Sequence, residues 1–327
     1  MSKPKVFVTR AIPQAGIDML QEVAEVDVWG GQLPPDKSVI IEKVQDCAGL
    51  LSLLTDTIDA EVIAAGKKLK VISNYAVGYN NIDVAAATAS GIAVGNTPGV
   101  LTDTTADMAW ALLMAVARRI VEGDKYVRAG RWLTWEPQLF LGADVHHATL
   151  GIIGLGRIGQ AVARRARGFD MRVLYYDVVR NEDAEAGTGV KFAELDELLR
   201  ESDFVSLHCP LTETTRHLIG AHEFELMGPE SYLINTSRGA VVDETALVTA
   251  LTEEKIAGAA LDVTDTEPIL NDSPLLKLEN VVICPHIASA SRQTRTKMAT
   301  MAAENLIAGL DDKPLPNCVN PPVLAPK

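Results

Sequence analysis

Short β-rich apolar runs alternate with helical patterns twice along the chain, and few folds accommodate that order. The first series reads KVFVT, QAGIDMLQEV, EVDVW, KSVIIEKVQ, AGLLSL, DAEVIAAG, LKVISN, VAAATASG and IAVGN. The second begins near Thr149 with ATLGIIG and GQAVARRARGF and continues through MRVLYYD, AELDELLRE, DFVSLHC, HEFELM, SYLINTS, ETALVTALTEE and IAGAALDV to NVVICPH. A parallel neighbour needs a crossover long enough to hold a helix, so each series predicts a doubly wound parallel sheet with helices on both faces. Between the two lies NTPGVLTDTTADMAWALLMAVARRI, where Pro98 and Gly99 punctuate the chain and Thr102 or Asp103 can cap a helix. The run from Thr104 to Ile120 predicts one helix, apolar on most of its circumference, of the kind found between layers, domains or subunits. After PHIASAS, RQTRTKMATMAAENLIAGL predicts a further helix, and KPLPNCVNPPVLAPK is a proline-rich tail too short for a third domain.

With 327 residues, 47% of them hydrophobic, the chain can bury a sizeable core and is long enough for two domains. Its net charge of -13 opposes nonspecific binding to nucleic acid or to an acidic membrane. An anionic ligand must therefore meet local arginines or backbone N–H groups. The opening MSKPKVFVTR runs straight into a strand, without an apolar leader, and no apolar run approaches membrane-spanning length, which predicts a cytoplasmic protein. Cys47, Cys209, Cys284 and Cys318 are far apart and form no C-x-x-C pair, so they read as reduced thiols rather than zinc ligands or disulfides. His146 and His147 lack a third ligand at useful spacing. Arg164, Arg165 and Arg167 read as a solvated helix face.

A G-x-G-x-x-G pattern gains meaning from its context. Gly154, Gly156 and Gly159 follow an apolar strand and open an amphipathic helix, the arrangement a dinucleotide-binding turn requires. Gly154 permits the tight turn, Gly156 lets the backbone approach a pyrophosphate at the helix N-terminus, and Gly159 allows close helix–strand packing. Leu155, Arg157 and Ile158 complete the turn. The next strand ends in Asp177, placed to accept hydrogen bonds from an adenosine ribose and to repel a 2′-phosphate, which favours NAD. Arg180 is the opposing feature, because a free arginine there could meet that phosphate.

Further strand ends carry polar groups: Arg238 in INTSRGAVVD, Asp262 and Glu267 in LDVTDTEP, and His286 in VVICPHIASAS. Ligands of open α/β sheets bind at the carboxyl ends of the strands, so these groups can converge as an anion-binding and proton-transfer set. In SNYAVGYNNID the N–H groups of Val77 and Gly78 can face an anion before a helix capped near Asn80 or Asn81. The alternative is a plain turn in which Tyr75 and Tyr79 pack. In GRWLTWEPQLFLG, Trp132, Trp135 and Phe140 lie in a segment too loop-like to bury them, which suggests an interface.

Over almost its whole length the chain resembles the D-isomer-specific 2-hydroxyacid dehydrogenases, and most closely their glyoxylate/hydroxypyruvate reductase branch. The segments that carry the resemblance are NYAVGYNNID, NTPGVLTDTTADMAWALL, GIIGLGRIGQA, LINTSRGAVVDETAL, LDVTDTEP and PHIASAS. It implies two Rossmann-like or flavodoxin-like domains, the cofactor domain being inserted into a discontinuous substrate domain. The substrate domain would span residues 1–100 and 289–327 and the NAD(P)-binding Rossmann domain 101–288, with hinges near Gly99 and Ala288. Arg238 is implied as the arginine that binds the substrate carboxylate, His286 as acid and base, and Glu267 as its partner. Asp262 would lie near the nicotinamide, and Pro210, Thr215, Thr236 and Ala288 would also line the cofactor, with His208 and Cys209 beside it. Leu53, Val77 and Gly78 would contact substrate. The implied activity is reduction of small 2-oxoacids, glyoxylate to glycolate and hydroxypyruvate to D-glycerate, with NADH, or with NADPH as in some members of the branch. D-lactate, phosphoglycerate, formate or phosphite dehydrogenases share these motifs, and a NAD-sensing corepressor or a hydrolase with permanently held NAD are the rivals from other classes. A homodimer joined through the cofactor domains is also implied.

Overall fold

In the computed structural model, which describes residues 3–321, the first series forms β1 (Lys5–Val8), α1 (Gln14–Val23), β2 (Glu25–Val28), α2 (Lys37–Val44), β3 (Gly49–Ser52), α3 (Ala60–Ala65), β4 (Val71–Asn74), α4 (Val84–Ala89) and β5 (Ala93–Gly95). Residues 322–327, the end of the proline-rich tail, and residues 1–2 lie outside the described part. The strands pair in parallel in the order β2-β1-β3-β4-β5, the order of flavodoxin-like sheets. Alternation along each strand sends Val6, Val8, Leu51 and Val71 to one core and Phe7, Leu50 and Ile72 to the other.

The second series forms a separate unit, residues 102–289. It starts with α5 (Thr102–Ala117) and α6 (Ile120–Arg128), then β6 (Thr149–Ile153), α7 (Arg157–Ala166), β7 (Arg172–Tyr176), α8 (Glu182–Thr188), β8 (Lys191–Phe192) and α9 (Leu195–Glu201). It continues with β9 (Phe204–Leu207), α10 (Ala221–Met227), β10 (Tyr232–Asn235), α11 (Glu244–Thr252), β11 (Gly258–Leu261) and β12 (Val281–Ile283). All seven strands are parallel, in the order β12-β11-β10-β9-β6-β7-β8, so the winding reverses between β6 and β9. Leu150, Ile152, Phe204 and Ile234 face the core that holds α5 and α7, while Ile153, Val205 and Leu233 face the other.

One expected helix, Thr104 to Ile120, is two. Arg119 stands in the left-handed region at φ 52°, and its guanidinium is paired with Glu122 through two hydrogen bonds of 2.7 and 2.9 Å. Helical dihedrals cannot continue through that residue, so α5 stays buried and α6 departs from it. Among the described residues no helix is long and apolar enough to cross a membrane.

The chain then returns to the first unit as α12 (Arg292–Leu310). Met298, Ala299, Ala302, Ala303 and Leu306 complete the core that includes Val6, Val8 and Val71. Beyond α12, Cys318 bridges antiparallel to Gly95, and Asn320 accepts a hydrogen bond from the amide of Val94 at 2.8 Å, covering the free edge of β5. The contact between α12 and β4 is close enough to specify glycine, since a Cβ on Gly309 would stand 2.5 Å from Val71 Cβ. Gly309→Ala should lower stability by roughly 1–3 kcal/mol as an overpacking change, read as a lower denaturation midpoint at unchanged m-value.

Candidate active site

At the winding reversal, strand β6 delivers a turn that only small residues can make. Gly154 has φ +94°, and a Cβ there would meet the backbone nitrogen of Cys209 at 2.6 Å. A Cβ on Gly159 would sit 2.2 Å from the Gly154 carbonyl oxygen, so α7 lies directly against the strand end. A Cβ on Gly156 would meet nothing within 4 Å, so that position opens onto a free approach to the amides of the first turn of α7. Leu155 is buried, Ile158 half-buried and Arg157 exposed. The hydroxyl of Thr236, buried at the end of β10 with no partner among the described residues, gives a second sign that this crevice is built for a ligand. The cradle fits a dinucleotide.

Asp177 ends β7 and accepts hydrogen bonds from Leu155 N at 2.8 Å and Val178 N at 2.8 Å, one on each oxygen. Each carboxylate oxygen keeps acceptor capacity for a ribose hydroxyl. Arg180 is not free: it makes a bidentate pair with Glu185 at 2.7 and 2.9 Å, which holds the Glu185 carboxyl down at about 2. Glu185 also accepts from the Tyr175 hydroxyl at 2.7 Å, fixing the pair to the strand.

Arg238 follows β10 on a turn tied by Asn235. The Asn235 Oδ1 accepts from Ser237 N and Ser237 Oγ, both at 2.9 Å, and its Nδ2 donates to the Arg238 carbonyl at 2.9 Å. The Arg238 guanidinium donates to the Ser237 carbonyl at 2.8 Å. Burial pulls it below its ordinary pKa, against the opposing pull of the Glu267 charge. Beside it, Gly239 is pressed against Thr264, where a Cβ would overlap the main chain at 1.9 Å.

His286 and Glu267 are brought together by the loops after β12 and β11. His286 Nδ1 lies 2.7 Å from Glu267 Oε2, and Glu267 Oε1 accepts from Thr264 N at 3.2 Å. An ionised carboxylate only accepts, so Nδ1 carries the hydrogen and Nε2 is the ring atom left to exchange a proton. His286 has φ 54°, an uncommon conformation held by the bond from its amide to the Asp262 carbonyl at 2.9 Å. The Asp262 carboxylate, 1% exposed, accepts from Ile287 N at 2.8 Å and Ala288 N at 2.7 Å. Burial raises its pKa against those two bonds.

In the first unit Val77 and Gly78 follow β4, and the expected cap is corrected. Helix α4 starts at Val84, with Asp83 Oδ1 accepting from Ala86 N at 2.8 Å. Asn81 instead donates to the carbonyls of Leu53 at 3.0 Å and Asp56 at 3.1 Å, so it joins the Leu53 loop to this turn. Tyr75 is buried and donates to the Arg295 carbonyl at 2.8 Å, whereas Tyr79 is exposed. The structural work of Asn235 and Thr264 went unassigned in the sequence and Asn81 read as a cap, although INTSRG, LDVTDTEP and YNNID contain the signal, a polar side chain next to a strand-end turn.

Thr215 donates to the Pro210 carbonyl at 2.6 Å, closing the loop after β9. Burial pushes His208 down to about 4, with its Nε2 2.8 Å from Ser206 Oγ, and raises the neighbouring Cys209 thiol to about 11. Arg165 pairs with Asp103 and Asp107, while Arg167 donates to the carbonyls of Gly187 and Thr188. Trp132, Leu133, Trp135 and Leu141 are 60–89% exposed. Phe140 differs from the two tryptophans: it is half-buried, edge-on to Tyr126 and covered by Arg119.

The sequence signature of the D-isomer specific 2-hydroxyacid dehydrogenase NAD binding domain matches residues 110–288. The chain is 59% identical over 323 residues to the glyoxylate reductase of Korarchaeum cryptofilum, covering 98% of this chain and 97% of that protein. Its fold is similar to that of a solved Thermus thermophilus protein at TM-score 0.92 and 47% identity, over 96% of this chain and 99% of the other. It is also similar, at TM-score 0.87 and 32% identity over 98% of both chains, to the NADPH-dependent glyoxylate/hydroxypyruvate reductase of Sinorhizobium meliloti, solved with NADP and malonate.

Gly239→Ala should displace residues 264–265 and with them the Glu267 carboxylate, lowering kcat at least tenfold in steady-state assays while dinucleotide titration changes little. His208 gives a pH dependence. Unfolded, the ring takes up its proton near 6.5 and, folded, only near 4, so the unfolded state binds the extra proton between those values. Stability should therefore fall as pH drops through that window, by up to roughly 3 kcal/mol. Denaturation midpoints of His208→Gln across the window should fall less steeply.

Proposed function

The chain belongs to the D-isomer-specific 2-hydroxyacid dehydrogenases, and on that footing we propose that it is an NADH-preferring reductase of glyoxylate and hydroxypyruvate. It is an oxidoreductase of that family, with a nicotinamide dinucleotide domain and small 2-oxoacids as its substrate class. The observation that carries the proposal is the 2.7 Å hydrogen bond between Glu267 and His286, in the same unit as Arg238 and the glycine turn.

Residues 102–289 serve as the cofactor domain and the other unit as the substrate domain. Gly154 to Gly159 and Asp177 hold the pyrophosphate and ribose, while Thr236, Asp262 and Ala288 line the nicotinamide end. Pro210 and Thr215 flank the cofactor. Bound nicotinamide supplies the hydride for carbon C2 of the substrate. Arg238 holds the substrate carboxylate and polarises the adjacent carbonyl, and its half-buried guanidinium is partly shielded from the water that would weaken it. Val77, Gly78 and Leu53 contribute the remaining contacts to the substrate. His286 donates the proton from Nε2 to the developing alkoxide, while Glu267 holds the ring in the required tautomer and compensates its charge. In the oxidation direction the same nitrogen accepts the proton.

NADH is preferred because Asp177 accepts from a free 2′-hydroxyl and repels a 2′-phosphate, and because Arg180 is already paired with Glu185. The exposed Trp132 and Trp135 are proposed to be covered by a second copy of the chain.

Initial rates with glyoxylate, hydroxypyruvate and pyruvate, each with NADH and NADPH, test this reading. Rapid turnover of the first two, with a lower KM for NADH, is expected, and a lower KM together with a higher kcat for NADPH would remove the role given to Asp177. His286→Gln should lose about 10²- to 10⁴-fold in kcat with NADH binding intact, the range for a general acid. In sedimentation at micromolar concentration the protein should run as a dimer, and a Trp132→Ser/Trp135→Ser variant as a monomer.

A further inference from the structure

We propose that Asn96 is a positioning residue for substrate-carboxylate binding, because it fixes the peptide group on which Gly78 presents its amide, while Thr97 and Asn74 hold the peptides on either side, those of the Val77 and Tyr79 amides. The proposal rests on the assignment of the Val77 and Gly78 amides to the substrate and adds the groups that hold them. Three successive carbonyls of this turn are each taken by a donor within the first unit. The Ala76 carbonyl accepts from Thr97 N at 2.9 Å, the Val77 carbonyl from Asn96 Nδ2 at 2.8 Å and the Gly78 carbonyl from Asn74 Nδ2 at 2.9 Å.

The peptide bonds here are trans, so each C=O and the N–H of the same peptide point in opposite directions. Pinning the carbonyls of residues 76, 77 and 78 therefore turns the amides of Val77, Gly78 and Tyr79 away from those donors. None of the described residues accepts a hydrogen bond from these three amides. Successive free N–H groups of this kind form an anion-binding concavity, and it stays open only while the carbonyls are held back.

The two asparagines are themselves held. Ser52 Oγ donates to Asn74 Oδ1 at 3.1 Å, and Asn74 Nδ2 also lies 3.1 Å from Asn81 Oδ1. The Asn96 carbonyl accepts from Asn305 Nδ2 at 2.8 Å, its amide donates to the Asn317 carbonyl at 3.2 Å, and Asn305 Oδ1 accepts from Asn317 N at 2.9 Å. The orientation of the 77–78 peptide is thus set by two residues from the C-terminal part of the chain, on and just after α12. Neither asparagine needs to touch the substrate.

The test is the discrimination between a carboxylate and its neutral ester. Asn96→Leu keeps the approximate size and removes the donor, and Asn96→Ser, the second variant, leaves a hydroxyl too short to reach the Val77 carbonyl. In either variant the glyoxylate KM should rise about tenfold or more with kcat changed far less, the scale of one charge-assisted hydrogen bond. The ratio of kcat/KM for glyoxylate to that for methyl glyoxylate should collapse by the same factor, while the NADH Kd is unchanged. A purely structural role would lower both substrates together, and that outcome, or an unchanged ratio in both variants, overturns the proposal. Wild-type protein that reduces acid and ester equally well overturns the carboxylate assignment of Val77 and Gly78, and the proposal with it.

Discussion

The carboxyl end of β6 is the point from which the polar groups of the second unit take their positions. There Gly154 passes the backbone of Cys209, and Gly159 lets α7 close on Gly154, at distances that leave no room for a Cβ. Because all seven strands run parallel, this crossing puts the loops after β6, β7, β9, β10, β11 and β12 at one end of the sheet. The amides of α7, the carboxylate of Asp177 and the side chains of Arg238, Glu267 and His286 are all products of that single alignment. Tight packing at the turn and reactivity at the loops are therefore parts of one constraint.

Beyond the strands, order is imposed by buried and half-buried polar side chains that substitute for main-chain partners. Asn235 folds the Arg238 turn on itself, and Asp262 holds residues 286–288 through one carbonyl and two carboxylate contacts. In the first unit Asn74, Asn81 and Asn96 do the same for the turns around Leu53 and Val77. Such groups satisfy several backbone atoms at once, and removing one leaves those atoms unpaired in a dry environment. Loops held this way can carry an uncommon dihedral, as at His286, without regular secondary structure around them.

The two parallel sheets were legible because most of their strands are apolar runs of four or five residues bounded by helical patterns, and the glycine turn because its three glycines follow such a run. Arg238, Glu267 and His286 were legible as strand-end residues, though their mutual distance was not, since it depends on Asp262 and Gly239 acting across sequence separations that no periodicity records. The break at Arg119 was hidden because Arg118 and Arg119 continue a good helix-forming composition, and only the left-handed dihedral and the Glu122 pair stop it. Asn80 and Asn81 resembled caps, but the side chain of Asn81 is engaged by the Leu53 loop, so the helix waits for Asp83. Each miss is a competition between a local preference and a specific side-chain partner, three residues away for Arg119 and 28 for Asn81.

The return of the chain through α12 sets a timetable. As the polypeptide leaves the ribosome, β1 to β5 emerge first but lack the α12 side chains that close one of their two cores, together with the Cys318 to Asn320 segment that covers β5. Residues 102–289 are continuous and contain everything their own sheet requires. The N-terminal unit is therefore begun first and finished last. Its exposed sheet must remain soluble for the time needed to synthesise almost two hundred intervening residues, at roughly 5–20 residues per second, which makes the charged faces of α1 and α2 part of how the chain survives its own synthesis.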